Sequence, residues 1–317
     1  MRHLVILNKV RVENANCVAG STYGFPAITH FLGYIHALSR RLNDPNLSFQ
    51  DCGVICHQQQ IHSDTPSYIS DLHFSQTRNP LTKEAKSAAI NEEGRMHMTV
   101  SLLFYCHGDV VNGQIGRQEL QETLLQLAPL LPLAGGRIDQ IEQVKVRPIP
   151  ASEVEWREVR RLLLPGFALI DRTHYLAEHV RVLQQTDPDA DTLQAWLDFS
   201  ALKYHAITAP QQQPATWRYS PKPQPGYLVP LMVGWQRISP LYPAGTVAKT
   251  RDAISPFCFV EAAYGLGEWC GPHRIRDLTQ LLWQYHITEQ GYYCRSQFDL
   301  NPAQHSPQDL PIDDDML

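Results

Sequence analysis

The sequence predicts an α+β fold, and three observations carry that reading. Residues 3–12 and 95–106 alternate apolar and polar side chains with the period of a half-buried strand. Residues 27–42 and 116–128 carry the period of a helix with one apolar face. With a second strand near 51–57 and a strand after the turn "LAGGRI", the order is β-α-β-β-α-β, the split βαβ or ferredoxin-like pattern.

Each element has a local reason. In the first strand Leu4, Ile6, Val10 and Val12 are expected on one face, with Lys9 and Arg11 on the other. The first helix repeats Ile28, Phe31, Leu32, Ile35, Leu38 and Leu42 at i, i+3/i+4, i+7, and Pro26 stands just before its first turn. A polar excursion runs through residue 93. In "RMHMTVSLLFYC" Met96, Met98, Val100, Leu102 and Phe104 oppose Arg95, His97, Thr99 and Ser101, the clearest strand of the chain. These parts make residues 1–150 the core.

Residues 151–208 read as a helical insertion, in which "PGFALI" is either a strand or a buried connector. Leu162, Leu163 and Leu164 cannot all be buried on one helix face, so part of that surface is expected to meet the core or a partner. Residues 209–225 are rich in Pro and Gln and read as a loop. Residues 226–286 return to the core, with strand-like runs and a final helix from about 274 to 285, and 287–317 form an acidic tail.

Composition narrows the function. In 317 residues, 43% hydrophobic content suffices for a substantial core, and no run of eighteen apolar residues exists. The expectation is a soluble, cytoplasmic chain without a membrane partner. The seven cysteines are an odd number with no C-x-x-C pair, as for reduced core residues. Cys52, Cys56, His57 and His62 are ligand types for zinc, but their spacing fits no finger, and neither a metal nor another cofactor is called for. The net charge is −5, which argues at first against nucleic acid. Residues 287–317 hold six carboxylates against Arg295 alone, so they account for all of it and leave the body neutral.

In the predicted topology the first and third strands are central and both helices cover one face. The other face is expected to be open, offering Lys9, Arg11, Arg95, His97, Thr99 and Ser101 to a phosphate backbone. The plain alternative is a solvated strand face, or one covered by another part of the chain, and the stacking aromatics of an RNA-reading sheet are missing from it. Arg157, Arg160 and Arg161 share a helix face and could clamp phosphates, or simply pair with Glu153 and Glu158. Arg137 ends the "AGGR" turn, and His273 and Arg274 open the predicted last helix, where anions are favoured and a cap is the default. No G-x-S-x-G, H-E-x-x-H or magnesium-type carboxylate cluster is present. An acid–base ribonuclease using His30 or His36 beside Tyr23 is conceivable, although nothing marks a partner for His36.

Eight blocks in order, "STYGFPAITHFLGYIHALSRR", "QTRNPLT", "AAINEEGRMHMTVSLL", "LPLAGGRI", "RRLLLPGFALIDR", "GYLVPL", "GLGEWCGPHRI" and "LLWQYH", resemble the family of second Csy subunits of type I-F CRISPR surveillance complexes, relatives of the Cas-five RAMP proteins. The resemblance ends near residue 286 and omits 209–225. It implies an RRM-like RAMP core and a non-catalytic scaffold subunit. Such a subunit binds the 5′ handle of the CRISPR RNA beside the large Csy subunit and contacts the third Csy protein, the backbone subunit. Contact with target DNA within the complex stays open. The alternative is a RAMP-type, metal-independent endoribonuclease processing repeat RNA. The RNA-binding set then comprises Lys9, Arg11, Arg95, His97, Arg137, Arg160, Arg161, His273 and Arg274 together with Asn14, Asn16, Ser21, Tyr23 and Phe25 of the loop 13–26, and Arg78 and Asn79 of "QTRNPLT". Tyr23 and Phe25 could equally staple the first helix to the core.

Overall fold

The computed structural model describes residues 2–65, 71–207 and 215–296. β1 (Arg2–Asn16), α1 (Ile28–Leu42), β2 (Ser48–Ile61), β3 (Arg95–His107), α2 (Gly113–Leu127) and β4 (Arg137–Pro148) follow in the expected order. They pair antiparallel in the spatial order β4-β1-β3-β2, so β1 and β3 are central. Both helices lie on one face. α1 buries Ile28, Phe31, Leu32, Tyr34, Ile35 and Leu38 against Met96, Met98, Val100, Leu102 and Phe104 of β3. Full burial of each such side chain is worth roughly 1.5–3 kcal/mol, so the stripe fixes how the helix lies.

The alternation predicted for β1 is broken by two bulges. Its register against β3 shifts between Leu7 and Val10 and again between Val12 and Ala15. Lys9 and Asn14 sit there with φ of 48° and 54°, the left-handed conformation that a bulge residue can take. Val5, Leu7, Val10 and Val12 therefore face the helices, while Leu4 and Ile6 face the other way into a second core. The expected grouping of Leu4 and Ile6 with Val10 and Val12 is corrected by the extra residue.

The second half of the chain extends the same sheet. After α3 (Glu153–Leu162), the "PGFALI" stretch forms β5 (Phe167–Asp171), and α4 (His174–Leu183) and α5 (Thr192–Ser200) follow. Among the described residues, β6 (Lys203–Ile207) and β7 (Thr216–Ser220) pair only with each other. Part of the expected Pro/Gln-rich loop and the end of the helical stretch are thus strands, while residues 208–214 lie outside the described residues. β8 (Leu228–Arg237), β9 (Val260–Cys270), β10 (Trp283–Thr288) and β11 (Gly291–Ser296) complete a nine-stranded sheet in the order β4-β1-β3-β2-β5-β9-β8-β11-β10. A further pairing of Trp283 with Cys52 brings β10 back to β2, so this half curls around α1, whose core includes Leu169, Leu231, Val233, Trp283 and Cys294.

The predicted final helix does not form. Residues 272–280 make two 3₁₀ turns and β10 takes "WQYHIT", a run of aromatic and β-branched residues that suits a strand. Its Trp283 is fully buried and donates its indole N–H to the Leu169 carbonyl at 2.9 Å. Of the stretch expected as an acidic tail, 287–296 lie in β10, β11 and the turn between them, and 297–317 lie outside the described residues. No helix among the described residues is long and apolar enough to cross a membrane.

Candidate nucleic-acid interface

The face of β1 and β3 turned away from α1 and α2 is divided. At one end Leu4, Ile6, Leu103 and Tyr105 are sealed under Trp156 and Val159 of α3, Leu163, and the segment carrying Ile275, Leu278, Leu281 and Leu282. The expectation of a wholly open face is corrected there, because α3 needs a surface on which to bury its own apolar stripe. α3 begins at Ser152, whose hydroxyl accepts the Glu155 N–H at 3.3 Å, while the Glu155 carboxylate accepts the Ala151 N–H at 2.7 Å, a capping-box-like pairing. Of the three leucines, Leu163 is fully buried, Leu162 half-buried and Leu164 exposed.

A polar joint marks the boundary. Ser101, expected on the open face, is fully buried. Its Oγ accepts the Lys9 N–H at 2.9 Å and lies 2.9 Å from Asn8 Oδ1 and 2.7 Å from His57 Nε2. His57 Nδ1 is 2.5 Å from the Pro165 carbonyl. A carbonyl only accepts, so Nδ1 donates to Pro165, while the single Ser101 hydroxyl proton is donated to Asn8 Oδ1. Burial lowers the His57 pKa, against the opposing pull of the Pro165 carbonyl. Gly166 permits this contact, since a Cβ there would lie 2.9 Å from His57 Nδ1. The Ser101–His57 pair has the spacing of a nucleophile and its base, yet a hydroxyl without solvent exposure cannot meet a substrate. Cys52 is buried in the helix-side core while His57 turns to Ser101, and among the described residues no three His, Cys, Asp or Glu converge as a metal site.

Beyond the joint the face is open. Lys9, Arg11, Arg95, His97 and Thr99 gather there with Arg137 of β4, each half-buried or exposed. Lys9 Nζ pairs with Glu142 at 3.1 Å, Arg95 with Glu93 at 3.0 Å and Arg137 with Glu13 at 3.3 Å, while Arg11 lies 3.8 Å from Asp139 and 3.9 Å from Glu13. The patch is therefore charge-balanced rather than a cationic stripe. Exposed pairs of this kind contribute only about 0–1 kcal/mol, so phosphates can displace the carboxylates at little cost. His97 Nδ1 accepts the Asn14 N–H at 3.3 Å, and its ring stands edge-on to His62 at 4.2 Å.

The expected loop 13–26 is corrected in part, since β1 runs on through Asn14 and Asn16 and is followed by a short hairpin of Val18–Ala19 with Thr22–Tyr23. Asn16 is spent on its shape, its amide bonding the Val18 carbonyl at 2.7 Å and the Val18 N–H at 3.1 Å. Ser21 is exposed and gives its N–H to Tyr264 Oη at 2.7 Å. Phe25 stacks on Phe31 and stands edge-on to Trp269 at 4.9 Å, so it does staple α1 to the core. Tyr23 remains exposed, edge-on to Phe74.

Other expected residues are not brought to this face. Arg78 and Asn79 are exposed at the end of the small hairpin Gln76–Arg78 with Ile90–Glu92. Arg160 turns away from the exposed Arg157 and Arg161, donating to the His273 and Ile275 carbonyls and pairing with Glu153, so it ties α3 to the turn below. His273 and Arg274 are exposed on a three-residue 3₁₀ turn, where no helix exists to supply a dipole. His36 is exposed on α1, and His30 is half-buried, its pKa lowered by burial.

Sequence reading missed a cleft of about 530 Å³ beside the open face. It lies where β2 runs on past its short pairing with β5, and Gln58, Gln59, Phe167, Tyr227, Tyr23 and Trp269 line it. No sequence pattern joins its rings, because Tyr23, Phe167 and Tyr227 stand in separate segments and their exposure is set by the fold.

A family profile described as CRISPR-associated protein (Cas_Csy2) matches residues 5–294. The chain belongs to the Csy2 family. It is similar to the CRISPR-associated protein Csy2 of Pseudomonas aeruginosa (strain UCBPP-PA14), with 35% identity over 311 residues, 92% of this chain and 94% of that one. Csy2 membership makes it a subunit of a type I-F Csy complex. Both the open face and the cleft lie within the matched residues.

Proposed function

We propose that this Csy2 chain is a non-catalytic RNA-binding scaffold that holds the 5′ handle of the CRISPR RNA together with the large Csy subunit and contacts the backbone subunit, working in the cytoplasm in antiviral defence. The β4-β1-β3-β2 order with two helices on one face fits a ferredoxin-like RAMP core of residues 1–150, rejoined by 226–286. One observation carries the reading. The polar face of the two central strands is sealed by α3 at one end and left uncovered at the other, where Lys9, Arg11, Arg95, His97, Thr99 and residues 13–26 meet. Weakly paired cations, half-buried hydroxyl and imidazole groups and an exposed aromatic side chain are what a single RNA strand requires.

The test is co-expression with the neighbouring subunits and a repeat-bearing CRISPR RNA. A complex that retains the RNA and leaves its handle uncut is expected. Isolation as an RNA-free monomer would remove the proposal, and site-specific, metal-independent cleavage lost on His36→Ala would replace it with the endoribonuclease.

A further inference from the structure

We infer that the cleft between β2 and β5 receives one extruded, uncharged nucleobase of the bound strand, a deeper reading of the same site that rests on the RNA-binding proposal. Its lining includes three aromatic side chains from separate segments. Phe167, Tyr227 and Tyr23 are 60%, 71% and 63% exposed, so each presents ring surface to an incoming group, Tyr23 beside Phe74. Inside, Trp269 is held in place by Phe25.

Among the described residues the lining contains no Lys, Arg, Asp or Glu, so these residues neither neutralise a phosphate nor attract a charged peptide. Its polar groups are the Gln58 and Gln59 amides, the Thr22 hydroxyl and the His57 ring, and both His57 nitrogens already have partners. Two amides carrying donors and acceptors beside exposed aromatic rings suit the edge and faces of a base. Register joins the cleft to the cationic patch. Gln58 is level with Thr99, and Thr99 with Arg11, so Arg11 and Gln58 lie two strand spacings apart, roughly 10 Å. A strand whose phosphates displace carboxylates at Lys9 and Arg11 brings a neighbouring base to the mouth of the cleft.

The experiment uses the full chain in its co-expressed complex and a series of CRISPR RNAs in which each handle nucleotide in turn is made abasic. One position should weaken binding about ten- to hundredfold, the value of one base–aromatic stack. The double variant Phe167→Ala, Tyr227→Ala should bind intact and abasic RNA equally, with the same salt dependence as the parent. Gln58→Ala, at an exposed position, should keep the penalty but relax the preference among bases there. If no position stands out, or the penalty persists in the double variant, the inference fails while RNA retention still supports the scaffold. If the double variant instead loses a partner subunit, the cleft takes protein and the inference is overturned. A parent complex without RNA would remove the underlying proposal as well.

Discussion

Leu103 and Thr99 point from the same face of β3, four residues apart, and meet opposite surroundings. Leu103 is fully buried beneath α3 and the 275–282 segment, whereas Thr99 faces the open patch with Arg11 and Gln58 beside it. On this face the sealed end is held by apolar burial, and the open end by weakly held ion pairs and the Asn14–His97 hydrogen bond. Ser101, between them, supplies the polar contacts that let the strand pass from one environment to the other. One β-strand face can thus anchor the fold and present a binding surface, provided that a bulge and a buried hydroxyl divide it.

The comparison breaks most visibly at Leu163. Leu163→Asp places a carboxylate in the sealed core and should cost about 4 kcal/mol or more, read as loss of soluble protein or a collapsed denaturation midpoint. Phe167→Asp, only four residues on but exposed, should cost about 1 kcal/mol or less. Equal effects would mean that the two ends are not energetically distinct.

The joint should respond to acid. His57 titrates below its ordinary value in the folded chain because of burial, so the unfolded state takes up the proton first as pH falls past about 6.5. Its contribution is fully present above that pH and is lost progressively below it. His3, His30 and His107 are shifted in the same direction, chiefly by burial. Stability between about pH 7.5 and pH 5, the window that brackets the ordinary histidine value, should therefore decline, and His57→Gln should flatten part of that slope. A slope unchanged in the variant would place the titration elsewhere.

The smallest effect on stability belongs to the open end. Lys9→Ala with Arg11→Ala removes exposed pairs and should shift stability by about 1 kcal/mol or less. The same double variant should flatten the salt dependence of RNA binding by roughly 0.7 in log–log slope for each phosphate that is no longer neutralised. An unchanged slope would show that these side chains do not meet the backbone of the strand.

Local periodicity was enough to define the repeating elements. Met96 to Leu102 alternate with polar residues, and Ile28 to Leu38 recur at helical spacing, so β3 and α1, and with them the β-α-β-β-α-β order, were legible from the amino acids alone. So was the collection of polar residues on β3, since a period of two places every second side chain on one face. Long-range packing settled the rest. The bulges at Lys9 and Asn14 depend on backbone conformation rather than on hydrophobic pattern, and they reassign every side chain that follows. "LLWQYH" carries apolar residues that either a helix or a strand could bury, and the pairing of Trp283 with Cys52, more than two hundred residues away, selects the strand. Arg160 has the spacing of a phosphate clamp, but the fold brings the carbonyls of His273 and Ile275 beneath it and ties it to them. The cleft joins Tyr23, Gln58, Phe167, Tyr227 and Trp269 from five separate stretches. A sequence pattern records which face each residue prefers, but contacts between distant segments exist only once the chain has chosen what covers each face.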